Sequence, residues 1–152
     1  MITDNKTSSK LIFAAQMFFG GWFLLHGLNH FVEIFVQPPG SSSPARVLIG
    51  ALISSGLFGV IKGVEIISGI MFLCNRFVPL GAVLAVPVSL SIAYVNIFLN
   101  NDVFGMVVAV VVVGLNVVVI FGYFDYFRPL LAYKTAPLSL SPFKQYLKDL
   151  FG

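Results

Sequence analysis

Charged residues and cysteine are scarce in this chain of 152 residues, and long apolar runs are abundant. Only 10% of the residues are charged and 58% are hydrophobic, which lies outside the range of soluble globular domains and predicts an integral membrane protein. The single cysteine, Cys74, excludes an internal disulfide, a CxxC redox pair and a multi-cysteine cluster or zinc site. Redox chemistry would therefore need a cofactor supplied from elsewhere.

Four apolar segments are long enough to cross a membrane as helices. They are Leu11–Val36, Leu57–Cys74, Phe77–Leu99 and Val103–Tyr123. The valine-rich run Met106–Val119 would suggest a strand in water, but a continuous apolar run lacks the alternation of a membrane barrel, so we expect a helix there too. The first segment has no cleavage site typical of a signal peptide. The predicted fold is all-α, a polytopic membrane protein with a bundle of four transmembrane helices.

The connections between these segments differ in character. The first is rich in Pro, Gly and Ser over residues 37–44 and then turns apolar at Val47–Ile53, which indicates either a short interfacial helix or a kinked extension of the second spanning helix. The turns at Asn75-Arg76 and Asn100-Asn101-Asp102 are very short, so they predict antiparallel neighbours. Ser141-Pro142 precedes a segment with Phe143, Tyr146, Leu147 and Leu150 on one face and Lys144 and Lys148 on another.

That last pattern predicts an amphipathic helix, which would lie on the membrane surface or dock a partner subunit. We therefore divide the chain into a transmembrane domain, residues 1–128, and a cytoplasmic tail, residues 129–152.

The net charge of +3 does not indicate nucleic acid binding, because the basic residues are scattered beside the apolar segments. With four crossings, Arg46 faces one side alone, and seven basic residues share the other: Lys6, Lys10, Arg76, Arg128, Lys134, Lys144 and Lys148. The positive-inside rule then places both termini in the cytoplasm.

The second apolar segment carries two charged residues, Lys62 and Glu65, one helical turn apart. A charge at that depth costs on the order of 3 kcal/mol on insertion scales and needs a partner or a role. His26, His30 and Glu33 follow at i, i+4 and i+7 on one stripe of the first segment. Counted from the segment ends, His26 matches Glu65 in depth and His30 matches Lys62. We expect one polar cluster, with Asn96 and also Asn29, Ser91 and Tyr94 as further members.

Several roles suit such a cluster, and no catalytic residue can be assigned from the sequence. Two histidines and a carboxylate are ligands that Zn, Fe or Cu accept, although we predict no metal and find haem ligation disfavoured, since the other segments contain no histidine. Lys and His also suit the carbonyls of a quinone head group, which is the cofactor we consider possible. The cluster could relay protons, because His and a desolvated Glu titrate near neutral pH. The remaining alternative is purely structural pairing that holds two helices together.

Several short stretches of the sequence resemble the DoxX-like family of small bacterial membrane proteins. The resemblance runs from about Leu11 to Leu99 and lies in Gly27-Leu28-Asn29-His30-Phe31, in Ser55-Gly56-Leu57-Phe58 continuing through Lys62, Glu65 and Gly69, and in Asn75-Arg76-Phe77-Val78-Pro79-Leu80 with Pro87-Val88. It implies a four-helix protein of the bacterial inner membrane, associated with quinone-linked sulfur oxidation or with oxidoreductase complexes that handle oxidative stress. It also implies roles for His30, Lys62 and Glu65. Relatives often carry His where this chain has Asn96, which is a departure from the pattern.

The leading expectation is therefore a small membrane subunit of a quinone-linked redox complex. Its expected partners are the lipid bilayer and either a protein subunit or a second copy of the chain. One alternative is a small transporter or channel for protons, ions or small solutes, for which a repeated pair of broken helices would be evidence; none is evident. Another alternative is a membrane assembly or scaffold protein without catalysis, with residues 134–152 as its contact.

Overall fold

The computed structural model describes residues 2–37, 40–131 and 141–151, and in those ranges the secondary structure is helical without a strand. This confirms the all-α prediction. The helices are α1 Ile2–Val32, α2 Ser43–Ser54, α3 Leu57–Leu73, α4 Val78–Tyr94, α5 Val103–Gly122, α6 Phe124–Phe127 and α7 Ser141–Phe151. A π-helical segment, Val95–Asn100, continues α4, and a short 3₁₀ turn, Arg128–Leu131, follows α6.

Three stretches of helix are long and apolar enough to cross a membrane: Lys6–Val32, Val78–Asn100 and Val103–Gly122. Helices α2 and α3 reach that standard only together, and they are bent by 85° relative to each other. The chain therefore has three candidate spans, or four if α2 and α3 are one broken span. Helix α3 has 17 residues, which is at the lower limit for crossing the hydrocarbon layer alone.

Short polar and left-handed residues set the helix ends. Ser42 caps α2 by accepting a hydrogen bond from the Ala45 amide, and Asp102 caps α5 by accepting one from the Gly105 amide at 2.8 Å. Gly56 has a φ of 77°, a conformation that only glycine adopts easily, and it permits the sharp break between α2 and α3. The predicted short turns after α3 and before α5 are confirmed, and Phe77 and Asn101 adopt left-handed conformations there.

Each of the four longest helices packs against two others. Helix α1 contacts α3 and α5, and α4 also contacts α3 and α5. The α1–α3 contact is very close, because a Cβ at Gly69 would lie 2.7 Å from the Leu24 amide nitrogen and one at Gly27 would lie 2.7 Å from Ile66 Cγ1. Small residues at such positions let two helix backbones approach closely. The buried apolar core between the helices consists of Phe19, Phe23, Phe72, Val78, Ala82, Ala85, Val88, Val112 and Val119.

The polar residues in α4 and α5 serve this packing. Asn116 donates from Nδ2 to the carbonyl of Ala82 at 3.1 Å, and Ser91 donates from Oγ to the carbonyl of Pro87 at 2.7 Å. Both bonds occupy backbone carbonyls close to the break that Pro87 makes in the helical hydrogen-bond pattern. Asn116 thereby joins α5 to α4.

Both bounds of α1 differ from the sequence-based expectation. Helix α1 begins at Ile2, before the predicted Leu11, and ends at Val32, before the predicted Val36, because Glu33 takes a left-handed conformation with a φ of 51°. In α3, a Cβ at Gly59 would lie 3.8 Å from His30 Nε2, and one at Gly63 would meet no atom within 4 Å. The predicted tail helix is present from Ser141 to Phe151, with Phe143 and Tyr146 exposed. Lys134 lies outside the described residues.

Candidate functional site

Lys62 and Glu65 form a buried ion pair in the middle of α3. The ammonium of Lys62 donates to both carboxylate oxygens of Glu65, at 2.9 and 2.8 Å. The two residues are only 6% and 2% exposed. Because a helix places residues three apart on one face, the sequence spacing alone is sufficient for this contact. The expectation that both charges face the protein interior agrees with the structure.

The pair lines a cavity of about 170 Å³, which we call the polar cavity. Four helical elements surround it: α1, α3, the end of α4 with the π-helical segment, and α5. Its lining residues are Trp22, Phe23, His26, Gln37, Lys62, Glu65, Ile92, Asn96 and Val108. The polar cavity thus combines one ammonium, one carboxylate, one imidazole and two amides with aromatic and aliphatic walls.

His26 is held in the polar cavity by aromatic rings. Its imidazole lies 4.6 Å from the Trp22 ring, centre to centre, and 5.2 Å from the Phe35 ring in an edge-on arrangement. In the described part of the chain, the pair bonds only within itself and neither histidine donates to it or accepts from it. The expected contact of Lys62 or Glu65 with a histidine is thus not a hydrogen bond, and His26 shares one cavity with the pair.

His30 and Glu33 lie elsewhere, at the end of α1 farthest from the N-terminus, which we call the distal end. They line a second space of about 400 Å³, the outer cavity, together with Asn29, Phe35, Val36 and Gln37. The His30 ring lies 5.1 Å from the Phe58 ring, and Glu33 is exposed. The predicted stripe of polar residues on α1 does not extend to Glu33, because α1 ends at Val32. The predicted match in depth does not bring His30 into contact with Lys62. The Phe58 ring contacts both side chains instead.

Of the other expected members, Asn96 joins the polar cavity and Asn29 the outer cavity. Ser91 does not join them, since it bonds to its own helix. Tyr94 also stays apart; it is exposed and stacks beside Phe98 at 5.5 Å. The structure thus brings four of the six expected site residues together: His26, Lys62, Glu65 and Asn96.

The segment Glu33–Gln37 covers the distal end of the polar cavity. Asn29 is 2% exposed, and its Oδ1 accepts a hydrogen bond of 2.7 Å from the Phe35 amide, which holds this segment in place. Gln37 lines both the polar cavity and the outer cavity, so it forms part of the boundary between them. Sequence reasoning missed Gln37, because nothing in a Pro-rich loop indicates that it folds back over a helix end.

The next part of the same connection is tied to the turn before α5. The Ser41 amide donates to Asn100 Oδ1 at 2.9 Å, and Asn100 Nδ2 donates to Asn96 Oδ1 at 3.2 Å. Asn96 also donates from Nδ2 to the carbonyl of Ile92 at 2.9 Å. These bonds form a chain from the surface loop to a residue of the polar cavity. The π-helical segment that carries Asn96 is a geometry often found at functional sites.

A second polar group lies at the opposite, proximal end, and the sequence analysis did not identify it. Gln16 is fully buried and donates from Nε2 to the Phe72 carbonyl at 2.7 Å and to Asn75 Oδ1 at 3.1 Å. The Tyr123 hydroxyl donates to Gln16 Oε1 at 2.6 Å. This group joins α1, the end of α3 and the end of α5. Gln16 lies on the same stripe of α1 as Phe19, Phe23 and His26, and that spacing was the available signal.

Within the part of the chain that the structure describes, no group of three or more His, Cys, Asp or Glu side chains is placed to hold a metal ion. The polar cavity instead offers hydrogen-bond donors and one compensated charge pair beside aromatic rings. No protein-family model matches the chain, and no curated protein or solved structure matches it either. The arguments about function therefore depend on the geometry of the site.

Proposed function

We propose that this chain is a small membrane subunit of a quinone-linked redox complex, and that the polar cavity binds the quinone head group. The observation that carries the proposal is the buried Lys62–Glu65 pair opening on a cavity that also holds His26 and Asn96. Quinone carbonyls are hydrogen-bond acceptors, and an ammonium, an imidazole and an amide are donors. Aromatic side chains beside them, Trp22 and Phe23, suit a flat ring.

The charges support binding of a neutral, polar head group. Glu65 accepts two hydrogen bonds from Lys62, so the charges compensate each other, while the third ammonium hydrogen remains available for a ligand. A buried pair of this kind avoids the high cost of an isolated charge. The burial of Lys62 and Glu65 lowers the local dielectric, which strengthens a hydrogen bond from Lys62 to a carbonyl oxygen.

The packing on the proximal side favours a binding pocket over a passage through the protein. Phe19 and Phe72 are fully buried and lie 5.3 Å apart, ring centre to ring centre. Phe19 is about two helical turns from His26 towards the N-terminus, so this aromatic contact lies behind the polar cavity. This arrangement favours a subunit that holds a ligand over the alternative of a small transporter or channel.

The membrane arrangement that we propose has four crossings, with α3 as the short one and both termini in the cytoplasm. Helix α2 then lies near the membrane surface on the other side, which agrees with its 85° bend from α3. The resemblance to DoxX-like proteins supports the bacterial inner membrane as the location. Because the chain has one cysteine and no metal cluster among its described residues, a partner subunit would supply the redox centre.

The chain contains a natural reporter of quinone binding, since Trp22 is its only tryptophan and lies in the wall of the polar cavity. The experiment is to titrate the purified protein in detergent with a short-chain quinone, which quenches indole fluorescence on contact. We expect saturable quenching in the wild type. Non-saturable quenching, equal to that of free tryptophan in the same micelles, would contradict the proposal.

Two variants make this titration specific. The double variant Lys62→Met, Glu65→Gln removes the donor without leaving a buried charge, and we expect it to weaken binding about tenfold or more, as for a lost hydrogen bond from a charged group. Lys144→Met removes an exposed ammonium in α7 and serves as the control, with unchanged binding.

Affinity purification from native membranes tests whether the chain belongs to a complex. A stoichiometric partner with flavin, haem or iron–sulfur absorbance is expected, and isolation of the chain alone would contradict a subunit role.

A further inference from the structure

Helix α2 and the distal ends of α1 and α3 enclose a crevice of about 260 Å³ that is separate from the polar cavity. Helix α2 contributes Arg46, Ile49, Gly50 and Ile53. These residues follow one another at i, i+3, i+4 and i+7, so they form one face of the helix. His30, Gln37 and Phe58 form the opposite wall. We call this space the α2 crevice.

One end of the α2 crevice is basic. Arg46 donates from Nη1 to the carbonyls of Gly40 and Ser41, at 3.4 and 3.2 Å, which orients the guanidinium. Its Nε and Nη2 groups have no hydrogen-bond partner, and Arg46 has no ion-pair partner, among residues 2–37, 40–131 and 141–151. The imidazole of His30 likewise forms no hydrogen bond there, although it contacts the Phe31 and Phe58 rings.

Among the described residues, no carboxylate lines the crevice itself. Two acidic groups belong to its surroundings: Glu33 lines the outer cavity, and Asp102 accepts a hydrogen bond from Ser41 Oγ at 3.3 Å. The unpaired guanidinium donors are therefore free for an anion. A guanidinium binds phosphate through two parallel hydrogen bonds, which gives both strength and orientation.

Apart from His30 and Gln37, the remainder of the crevice is apolar. Ile49, Ile53 and Phe58 form its walls, and Ile53 is 52% exposed. A Cβ at Gly50 would meet no atom within 4 Å, so open space continues along α2 at that position. A site with cationic donors at one end and an open apolar channel at the other fits an anionic amphiphile better than a small ion or a flat protein surface.

We propose that the α2 crevice binds an anionic phospholipid, with its phosphate at Arg46 and an acyl chain along Ile49, Gly50 and Ile53. The inference needs α2 at the membrane surface but does not depend on quinone binding. A basic residue at that level attracts anionic lipid head groups and not zwitterionic ones. The site would thus distinguish phosphatidylglycerol from phosphatidylcholine.

The test places the only tryptophan of the chain at the crevice, in the variant Trp22→Phe, Ile53→Trp. This protein is reconstituted in vesicles that contain either phosphatidylglycerol or phosphatidylcholine with brominated acyl chains, which quench tryptophan on contact. We expect about a fivefold preference for the anionic lipid at low salt. Adding Arg46→Gln should abolish the preference, whereas adding Arg76→Gln, at the proximal turn, should leave it unchanged.

Equal quenching by the two lipids, or a preference that persists in the Arg46→Gln variant, would overturn the proposal. Inorganic phosphate provides the second arm: if it removes the preference at millimolar concentration without changing ionic strength, the site binds a soluble anion and not a lipid. Native mass spectrometry of the unmodified protein avoids any effect of the new tryptophan. Retention of phosphatidylglycerol but not phosphatidylcholine is expected there, and loss of both lipids equally would contradict the inference.

Discussion

The ammonium nitrogen of Lys62 lies over the Phe58 ring, 5.2 Å from its centre. A cation facing an aromatic ring at this distance is stabilised by about 0.5 to 2 kcal/mol, depending on burial. The same ring contacts His30 edge-on at 5.1 Å. Phe58 therefore separates the polar cavity, with Lys62, from the α2 crevice, with His30.

The ion pair gives the first prediction. Replacing Glu65 by Leu leaves Lys62 as an unpaired buried charge, so we expect a loss of about 3 to 5 kcal/mol in the free energy of unfolding. Glu65→Gln keeps shape and hydrogen bonding and should fold, while lowering the activity of the proposed redox complex. Melting temperature in detergent is the measurement. The matched control is Lys62→Met, Glu65→Leu, which should recover stability, and wild-type stability of Glu65→Leu alone would show that the pair has no structural role.

The α1–α3 contact gives the second prediction, with two glycines of the same helix as a matched pair. Gly69→Ala places a Cβ 2.7 Å from the Leu24 amide nitrogen and 2.9 Å from the Gly20 carbonyl oxygen, both backbone atoms. We expect a destabilisation of about 1 to 3 kcal/mol from overpacking. Gly63→Ala meets nothing within 4 Å and gains helix propensity, so it should be neutral or stabilising. Equal melting temperatures for the two variants would argue against the close contact.

Sequence patterns were sufficient for the helices and for part of the site. The apolar segments predicted the long helices to within a few residues, except that α1 begins at Ile2 and not at Leu11, because helix length and hydrophobic run coincide over most of such a chain. Lys62 and Glu65 were identified because charge is costly among apolar residues. The position of His26 beside Lys62 and Glu65 was also predictable. Both helices rise 1.5 Å per residue, so counting from the segment ends gave His26 the same depth as Glu65.

Other features depend on contacts that no local pattern encodes. The position of Phe58 decides that His30 does not reach Lys62, and this depends on how α1 and α3 rotate about their axes. The left-handed conformation of Glu33 ends α1 early and turns Phe35 and Gln37 over the polar cavity. The group of Gln16, Asn75 and Tyr123 joins residues more than 40 positions apart, so only the folded chain reveals it.

That proximal group gives the third prediction. Tyr123→Phe removes the hydroxyl that donates to Gln16 Oε1, leaving a buried acceptor without a donor, and we expect a loss of about 1 to 3 kcal/mol in stability. Tyr126→Phe is the control, because Tyr126 is 70% exposed and its hydroxyl makes no hydrogen bond in the described part of the chain. Thermal unfolding in detergent at neutral pH measures both. A Tyr126→Phe effect as large as that of Tyr123→Phe would contradict the role of the hydroxyl.

The same hydroxyl predicts a dependence on pH. Burial, with a smaller effect of Tyr126, raises the pKa of Tyr123 above its ordinary value of 10.0. Because the folded protein holds this proton more tightly than the unfolded chain, its contribution is complete below pH 10 and is lost as pH rises through the folded value. Unfolding measured at increasing alkaline pH should show this loss in the wild type and a smaller one in Tyr123→Phe. Identical alkaline profiles for the two proteins would be evidence against it.

The cover over the polar cavity gives the fourth prediction. Asn29→Ala removes the acceptor of the Phe35 amide, so the segment Glu33–Gln37 should open more often and expose Trp22. Acrylamide quenching of Trp22 fluorescence measures this exposure, and we expect a higher quenching constant than in the wild type. Asn116→Ala removes a buried hydrogen bond of similar length far from the cover and should leave quenching unchanged. A rise in both variants would indicate general loosening and contradict a specific hold by Asn29.

The fifth prediction concerns orientation. Seven basic residues on one side against Arg46 on the other predict that both termini lie in the cytoplasm. Alkaline phosphatase fused after Gly152 should be inactive in cells, whereas a fluorescent protein at the same position should be bright. The control fusion is made after Ser55, between α2 and α3, where the phosphatase should be active. The reverse result at both positions would invert the proposed arrangement.

The π-helical segment Val95–Asn100 has a consequence for how this chain tolerates changes in length. A π turn holds about one more residue than an α turn, so the segment stores an extra residue inside a continuous helix. Deleting one residue within it would restore α-helical winding while leaving the turn before α5 in nearly its original orientation. A deletion elsewhere in α4 would rotate all that follows by about 100°. Natural length variation in α4 should therefore concentrate at this segment, and each such deletion would withdraw Asn96 from the polar cavity.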